Sequence, residues 1–156
     1  MRWWSLLFWL AVCFAVAGIS GRWTAVEVVG WYKTLRMPAI APPNWLFGPV
    51  WTLLYALMAV AVWRVALTAA TPARNLAIAL FLAQLALNFA WSLIFFRWHA
   101  IGWAFAEIAA LWVAIAATAL AFARVDLPAA WMMAPYLAWV SFASLLNFLI
   151  WRLNRG

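Results

Sequence analysis

The sequence predicts an all-α integral membrane protein, a bundle of five transmembrane helices with a long lid-like loop between helices one and two. Three observations predict it. Apolar residues make up 72% of the chain. Ten basic and three acidic residues in 156 are too few to cover a water-facing surface. Five apolar runs, at 3–21, 45–67, 76–96, 100–123 and 129–151, each match the about 20 helical residues that cross a hydrocarbon core of roughly 30 Å. They make one transmembrane domain over residues 1–156.

The first run goes from Trp3 to Gly21. Arg2 before it and Ala17, Gly18, Ser20 and Gly21 at its end also match the layout of a cleaved signal peptide, but its length and tryptophan content favour a retained span. The segment Arg22 to Asn44 holds Pro38, Pro42 and Pro43, yet also Trp23, Val26, Val28, Val29, Trp31, Tyr32 and Leu35. An apolar connection of that length reads as a lid or binding element. It reads equally as a segment lying in the interface, where indoles and phenols are at home. The second run, Trp45 to Leu67, has Pro49 near its start. Leu76 to Phe96 and Ala100 to Ala123 follow, and Ala129 to Trp151 contains Pro135. A proline inside a membrane helix is tolerated where neighbours satisfy the freed carbonyl. The connections among the last four runs are short, which makes those helices antiparallel neighbours.

The formal charge of +7 is scattered along the chain, mostly at the edges of the apolar runs. There, long cationic side chains snorkel to headgroups. Membrane lipid is therefore the expected partner; no compact basic face supports nucleic acid. Arg2, Arg64, Arg74 and Arg124 fall on one side, and Arg22, Lys33, Arg36, Arg97, Arg152 and Arg155 on the other, which favours a cytoplasmic C-terminus. Cys13 is the single cysteine, so no disulfide forms within the chain.

Chemistry concentrates in the third run. Wound at 100° per residue, Gln84, Asn88, Trp91 and Phe95 form one stripe and Ala79, Ala83, Ala86 and Ala90 another. Amides in hydrocarbon need partners, so the first stripe should face the interior or a cavity. The alanine stripe permits close helix approach, either to a second subunit as a dimer seam or to a helix of the same chain. Glu107 lies about two turns into the fourth run and should be paired, hydrogen-bonded or protonated. It reads as a ligand contact, a proton site or an interhelical bond. His99, beside Arg97, reads as an interfacial histidine. One histidine and one cysteine build no metal site, and no hydrolytic set or phosphate loop occurs. Of fifteen tryptophans, Trp3, Trp4, Trp23, Trp45, Trp98 and Trp151 sit near run ends as anchors. Trp51, Trp91, Trp103, Trp112 and Trp139 lie deeper. Their indoles either fill the core or offer faces on which a planar ring can stack.

Several motifs carry a resemblance: Pro42-Pro43-Asn44-Trp45, Gly48-Pro49-Val50-Trp51-Thr52 with Tyr55, and Gln84-Leu85-Ala86-Leu87-Asn88-Phe89-Ala90-Trp91 with Ile94-Phe95-Phe96. Downstream stand Gly102-Trp103-Ala104, Glu107, Pro135-Tyr136-Leu137-Ala138-Trp139, and Leu146-Asn147-Phe148 with Trp151-Arg152. Over almost the whole chain after the first run these resemble the TspO/MBR family, which takes in bacterial tryptophan-rich sensory proteins and the mitochondrial translocator protein, or peripheral benzodiazepine receptor. The resemblance implies a bacterial member with five transmembrane helices, usually a homodimer, and a pocket under the first loop that receives porphyrins. Carried over by position, ligand contacts would be Trp51, Asn88, Trp91, Trp103, Glu107, Trp139 and Ala143, with Tyr32 and Pro42 in the lid. Gln84 joins them as the amide one turn from Asn88.

The resemblance also implies light-dependent breakdown of protoporphyrin, with Trp51 and Trp139 as the residues that matter. No cofactor is required; the porphyrin is ligand. Two departures stand out. Met37-Pro38-Ala39-Ile40 replaces a lysine and an indole frequent before the proline pair. Phe148 stands where the sterol motif of the last helix has tyrosine before Arg152, so tight sterol binding is not expected. The leading reading is a porphyrin-binding membrane sensor or transporter, with porphyrin breakdown, proton-coupled export through Glu107, and a ligand-free structural role as alternatives.

Overall fold

The computed structural model describes residues 2–155. Five helices cover most of them: α1 (Arg2–Val28), α2 (Phe47–Ala66), α3 (Pro72–Ser92), α4 (Ile101–Ala123) and α5 (Leu127–Asn154). With their flanking turns, all five are long and apolar enough to cross a membrane. Around the bundle they stand in the order α1, α2, α5, α4, α3, and α3 closes the ring against α1.

Local chemistry explains where the helices begin. The Thr71 hydroxyl accepts from the Arg74 amide at 3.2 Å, and Pro72, which has no amide hydrogen to lose, opens α3. The Asp126 carboxylate accepts from the Ala129 amide at 3.2 Å and caps α5. Asp126 also receives Arg64 at 2.8 Å, joining the end of α2 to the start of α5. Nearby, the Trp63 indole donates to the Arg2 carbonyl at 3.0 Å, and Trp3 stacks on Trp63.

Helix α1 runs on through Val28, past the end of its apolar run. The connection to α2 is therefore shorter than the sequence predicts, spanning residues 29–46 with 3-10 turns at Trp31–Thr34 and Asn44–Leu46. Two contacts hold it down. The Asn154 side chain accepts from the Arg36 amide at 2.9 Å and donates to the Arg36 carbonyl at 3.0 Å. At the other corner, the end of α3 widens into a π-turn over Leu93–Arg97. His99 follows at φ 56, stacked on Trp31 and 3.1 Å from Glu27.

Between helices in lipid the hydrophobic effect is weak, so close packing and buried hydrogen bonds hold the bundle. The packing is tightest in the half remote from the loop, where Met58, Val62, Phe81, Ile115 and Met133 have no exposed surface. Under the loop the helices draw apart, leaving a second, smaller aromatic cluster of Tyr32, Phe95 and Phe96. On the outside of α3, Ala79, Ala83 and Ala86 are exposed and Ala90 is half-buried.

Candidate functional site

A cavity of about 510 Å³ lies beneath the α1–α2 connection, walled by α1, α2, the π-turn and the C-terminal half of α5. Its size falls within the range of roughly 300–1,000 Å³ typical of small-molecule sites. The floor is a buried chain of hydrogen bonds. The Tyr55 hydroxyl donates to Asn88 Oδ1 at 2.6 Å, Asn88 Nδ2 donates to the Tyr136 hydroxyl at 2.7 Å, and that hydroxyl donates to Gln84 Oε1 at 2.8 Å. Gln84 Nε2 ends the chain 3.8 Å from the Met58 sulfur. Polar groups in hydrocarbon are costly when unpaired; here each satisfies the next.

Indoles form the walls. Trp51 stands edge-on to Trp139, with ring centroids 6.5 Å apart and planes at 89°, and packs against Tyr55 and Tyr136 below. The Trp139 N–H is buried and has no hydrogen-bond partner among the described residues. Opposite, Trp91 stacks on Phe95 and donates to Asn147 Oδ1 at 3.0 Å. Asn147 in turn donates to the Ile101 carbonyl at 3.0 Å, tying this wall to α4. Tyr32 reaches the cavity from the loop, packed on Phe95 and Phe96, and burial raises its hydroxyl above the ordinary tyrosine value.

The cavity thus gathers Tyr32, Trp51, Trp91, Trp139 and Ala143. Five other candidate contacts do not line it. Gln84 and Asn88 belong to the floor network, one layer down, because Tyr55 and Tyr136 supply the partners that a ligand or water would otherwise have provided. Pro42 is half-buried in the connection without reaching the space. Trp103 and Glu107 lie on α4, which packs behind α3 and α5. They border a separate, shallow groove with Ile94 and Trp98, and Trp103 is 77% exposed toward the surroundings of the bundle. Both Glu107 oxygens are buried without a hydrogen-bond partner among the described residues. Three residues with structural roles went unassigned in the sequence: Asn147, Asn154 and Glu27, the partner of His99. The amides carried a signal, since asparagine inside or at the end of an apolar run requires a partner.

Five membrane-length helices and a tryptophan-walled cavity between them define a small multi-helix membrane protein. The profile of the TspO/MBR family matches residues 9–152, and the chain belongs to that family. It is 41% identical over 151 residues to the tryptophan-rich protein TspO of Chlorobaculum tepidum, with 96% of each chain covered. To the tryptophan-rich sensory protein of Cereibacter sphaeroides it is 38% identical, covering 99% of this chain and 94% of the other. The human translocator protein is 38% identical over 141 residues, 88% of this chain and 83% of that one.

Proposed function

We propose that the protein binds a flat, largely apolar tetrapyrrole of the protoporphyrin type in the cavity beneath the α1–α2 connection, as a membrane sensor or carrier. One observation carries this reading: two indoles at right angles, Trp51 and Trp139, border an open space of about 510 Å³. A planar ring can lie on one indole face while the other indole borders its rim. The test is titration of the purified protein with protoporphyrin IX in the dark, following tryptophan fluorescence. Saturable quenching that is lost on unfolding is expected; quenching that stays linear in porphyrin overturns the reading.

Light-dependent breakdown of the bound porphyrin is a second reading, favoured by the direct approach of Trp51 and Trp139 within one cavity. Illumination should then erase the porphyrin absorption band with native protein and not with denatured protein. The exposed face of Ala79, Ala83 and Ala86 supports a homodimer formed through α3, with lipid covering the rest of the bundle. A cysteine at position 83 that crosslinks two copies in membranes is the expected outcome; a cysteine at outward-facing Val113 should not.

A further inference from the structure

The cavity has one wall unlike the others. Its floor is closed by the Tyr55–Asn88–Tyr136–Gln84 chain, and its far side by the Trp91–Asn147–Ile101 bonds. Its roof is held by the two Arg36–Asn154 bonds. Between α1 and α2, above the level of Tyr55, no hydrogen bond crosses the edge among the described residues. Phe14 meets Tyr55 at 6.3 Å between centroids, and Ser20 stands beside the same tyrosine; these are the last side-chain contacts across the edge before the cavity. The upper half of α1 leans the other way, setting Trp23 against Phe89 of α3.

Along this seam five of the residues lining the cavity are exposed: Gly18, Gly21 and Ala25 on α1, Gly48 and Thr52 on α2. A methyl group built on Gly18, Gly21 or Gly48 would meet nothing within 4 Å. The hydroxyls here are turned inward on their own helices. Ser20 donates to the Val16 carbonyl at 2.6 Å, Thr24 to the Ser20 carbonyl at 3.1 Å, and Thr52 to the Gly48 carbonyl at 2.8 Å. An apolar molecule crossing this edge therefore strips no water and breaks no hydrogen bond.

We infer that the α1–α2 seam is a lateral portal through which an apolar planar ligand dissolved in the bilayer reaches the cavity, without opening the α1–α2 connection. This rests on the proposed porphyrin binding and adds its route. It also defines the ligand pool, since molecules partitioned into lipid meet the opening and molecules in water meet the clamped roof.

The experiment uses the full chain in lipid nanodiscs and stopped-flow tryptophan quenching, with protoporphyrin IX loaded in vesicles of the same lipid. Gly21→Leu narrows the seam. Gly18→Cys, folded first and then alkylated with a bulky maleimide, narrows it without burdening folding; the native Cys13 is buried. Association and dissociation should each slow about tenfold in both variants, since a gate acts on arrival and departure alike; affinity lost through faster dissociation would mean that the added group fills the cavity itself, and would overturn the portal. Asn154→Ala, which loosens the roof, should leave the rate unchanged. Association that is unaffected by either seam change, or that quickens in Asn154→Ala, overturns the portal while binding stands. Absence of saturable quenching in the unaltered protein removes the binding reading and the portal together.

Discussion

The indole of Trp31 lies flat against the imidazole of His99, with ring centroids 3.9 Å apart and planes 6° from parallel. Trp31 belongs to the loop after α1 and His99 to the loop after α3, so this stack fastens the cavity's cover to the π-turn. The same imidazole reaches Glu27 at 3.1 Å, and Trp31 rests edge-on against Phe95 below it. His99 holds φ 56 to do so, a conformation that costs a side-chain-bearing residue roughly 1–2 kcal/mol.

Replacing His99 separates these effects. His99→Gly and His99→Ala both lose the stack and the Glu27 contact, but only alanine keeps the backbone strain. His99→Ala should be the less stable by about 1 kcal/mol, read from thermal unfolding in detergent. Both should show faster amide exchange over residues 31–35, and unchanged exchange there would mean that the stack does not hold the cover.

The buried floor predicts a different penalty. Asn88→Leu leaves the Tyr55 and Tyr136 hydroxyls each short of a partner, which costs about 1–3 kcal/mol for each group that cannot re-pair. Tyr136→Phe, which removes a hydroxyl but keeps the ring, should also destabilise because it strands Asn88 Nδ2. Unfolding midpoints matching the unaltered protein in both variants would contradict the network.

Porphyrin affinity should distinguish the cavity from the outer groove. Trp139→Ala and Trp51→Ala should each weaken protoporphyrin IX binding at least about tenfold, or 1.4 kcal/mol. Trp103→Ala and Trp3→Ala should weaken it far less. Asn88→Ala should act indirectly, by loosening the floor under Tyr55. Equal affinities across the set would mean that the ligand sits elsewhere.

Acid should loosen the end of the bundle opposite the cover. Asp126 is held below the ordinary carboxylate range by its hydrogen bond from Arg64, against burial, which pushes the other way; the Arg64 charge and the Ala129 amide add to the lowering. A carboxylate with a depressed folded value stabilises the fold above its unfolded value of about 3.9, and that stability drains as pH falls through the folded value. The unfolding midpoint should therefore drop between about pH 5 and pH 2, and Asp126→Asn should flatten that drop while lowering the midpoint at neutral pH. Identical pH profiles would exclude the Arg64–Asp126 pair as the cause. The chain has only three acidic residues, which keeps the comparison simple.

How much of this was legible beforehand depended on the distance over which each signal acts. Span number and order follow from hydropathy along single helices, and the inward stripe of Gln84, Asn88, Trp91 and Phe95 follows from the geometry of one helix. The extension of α1 through Val28 was hidden because Arg22, Thr24 and Glu27 interrupt the apolar run without interrupting the helix. Partner choice was hidden too: that Asn88 bonds two tyrosines from α2 and α5 depends on the relative heights of three helices. Trp103 and Glu107 show the same limit. Positional resemblance places them in a pocket, whereas the ring order sets α4 behind it.

The cavity lies in the loop-bearing half of the bundle, while in the other half side chains from Met58 to Phe122 are fully buried. On the proposed route the protein would sample a single leaflet. A pigment inserted in the opposite monolayer would then have to flip across before reaching the cavity, so lipid scrambling and leaflet composition would control what binds.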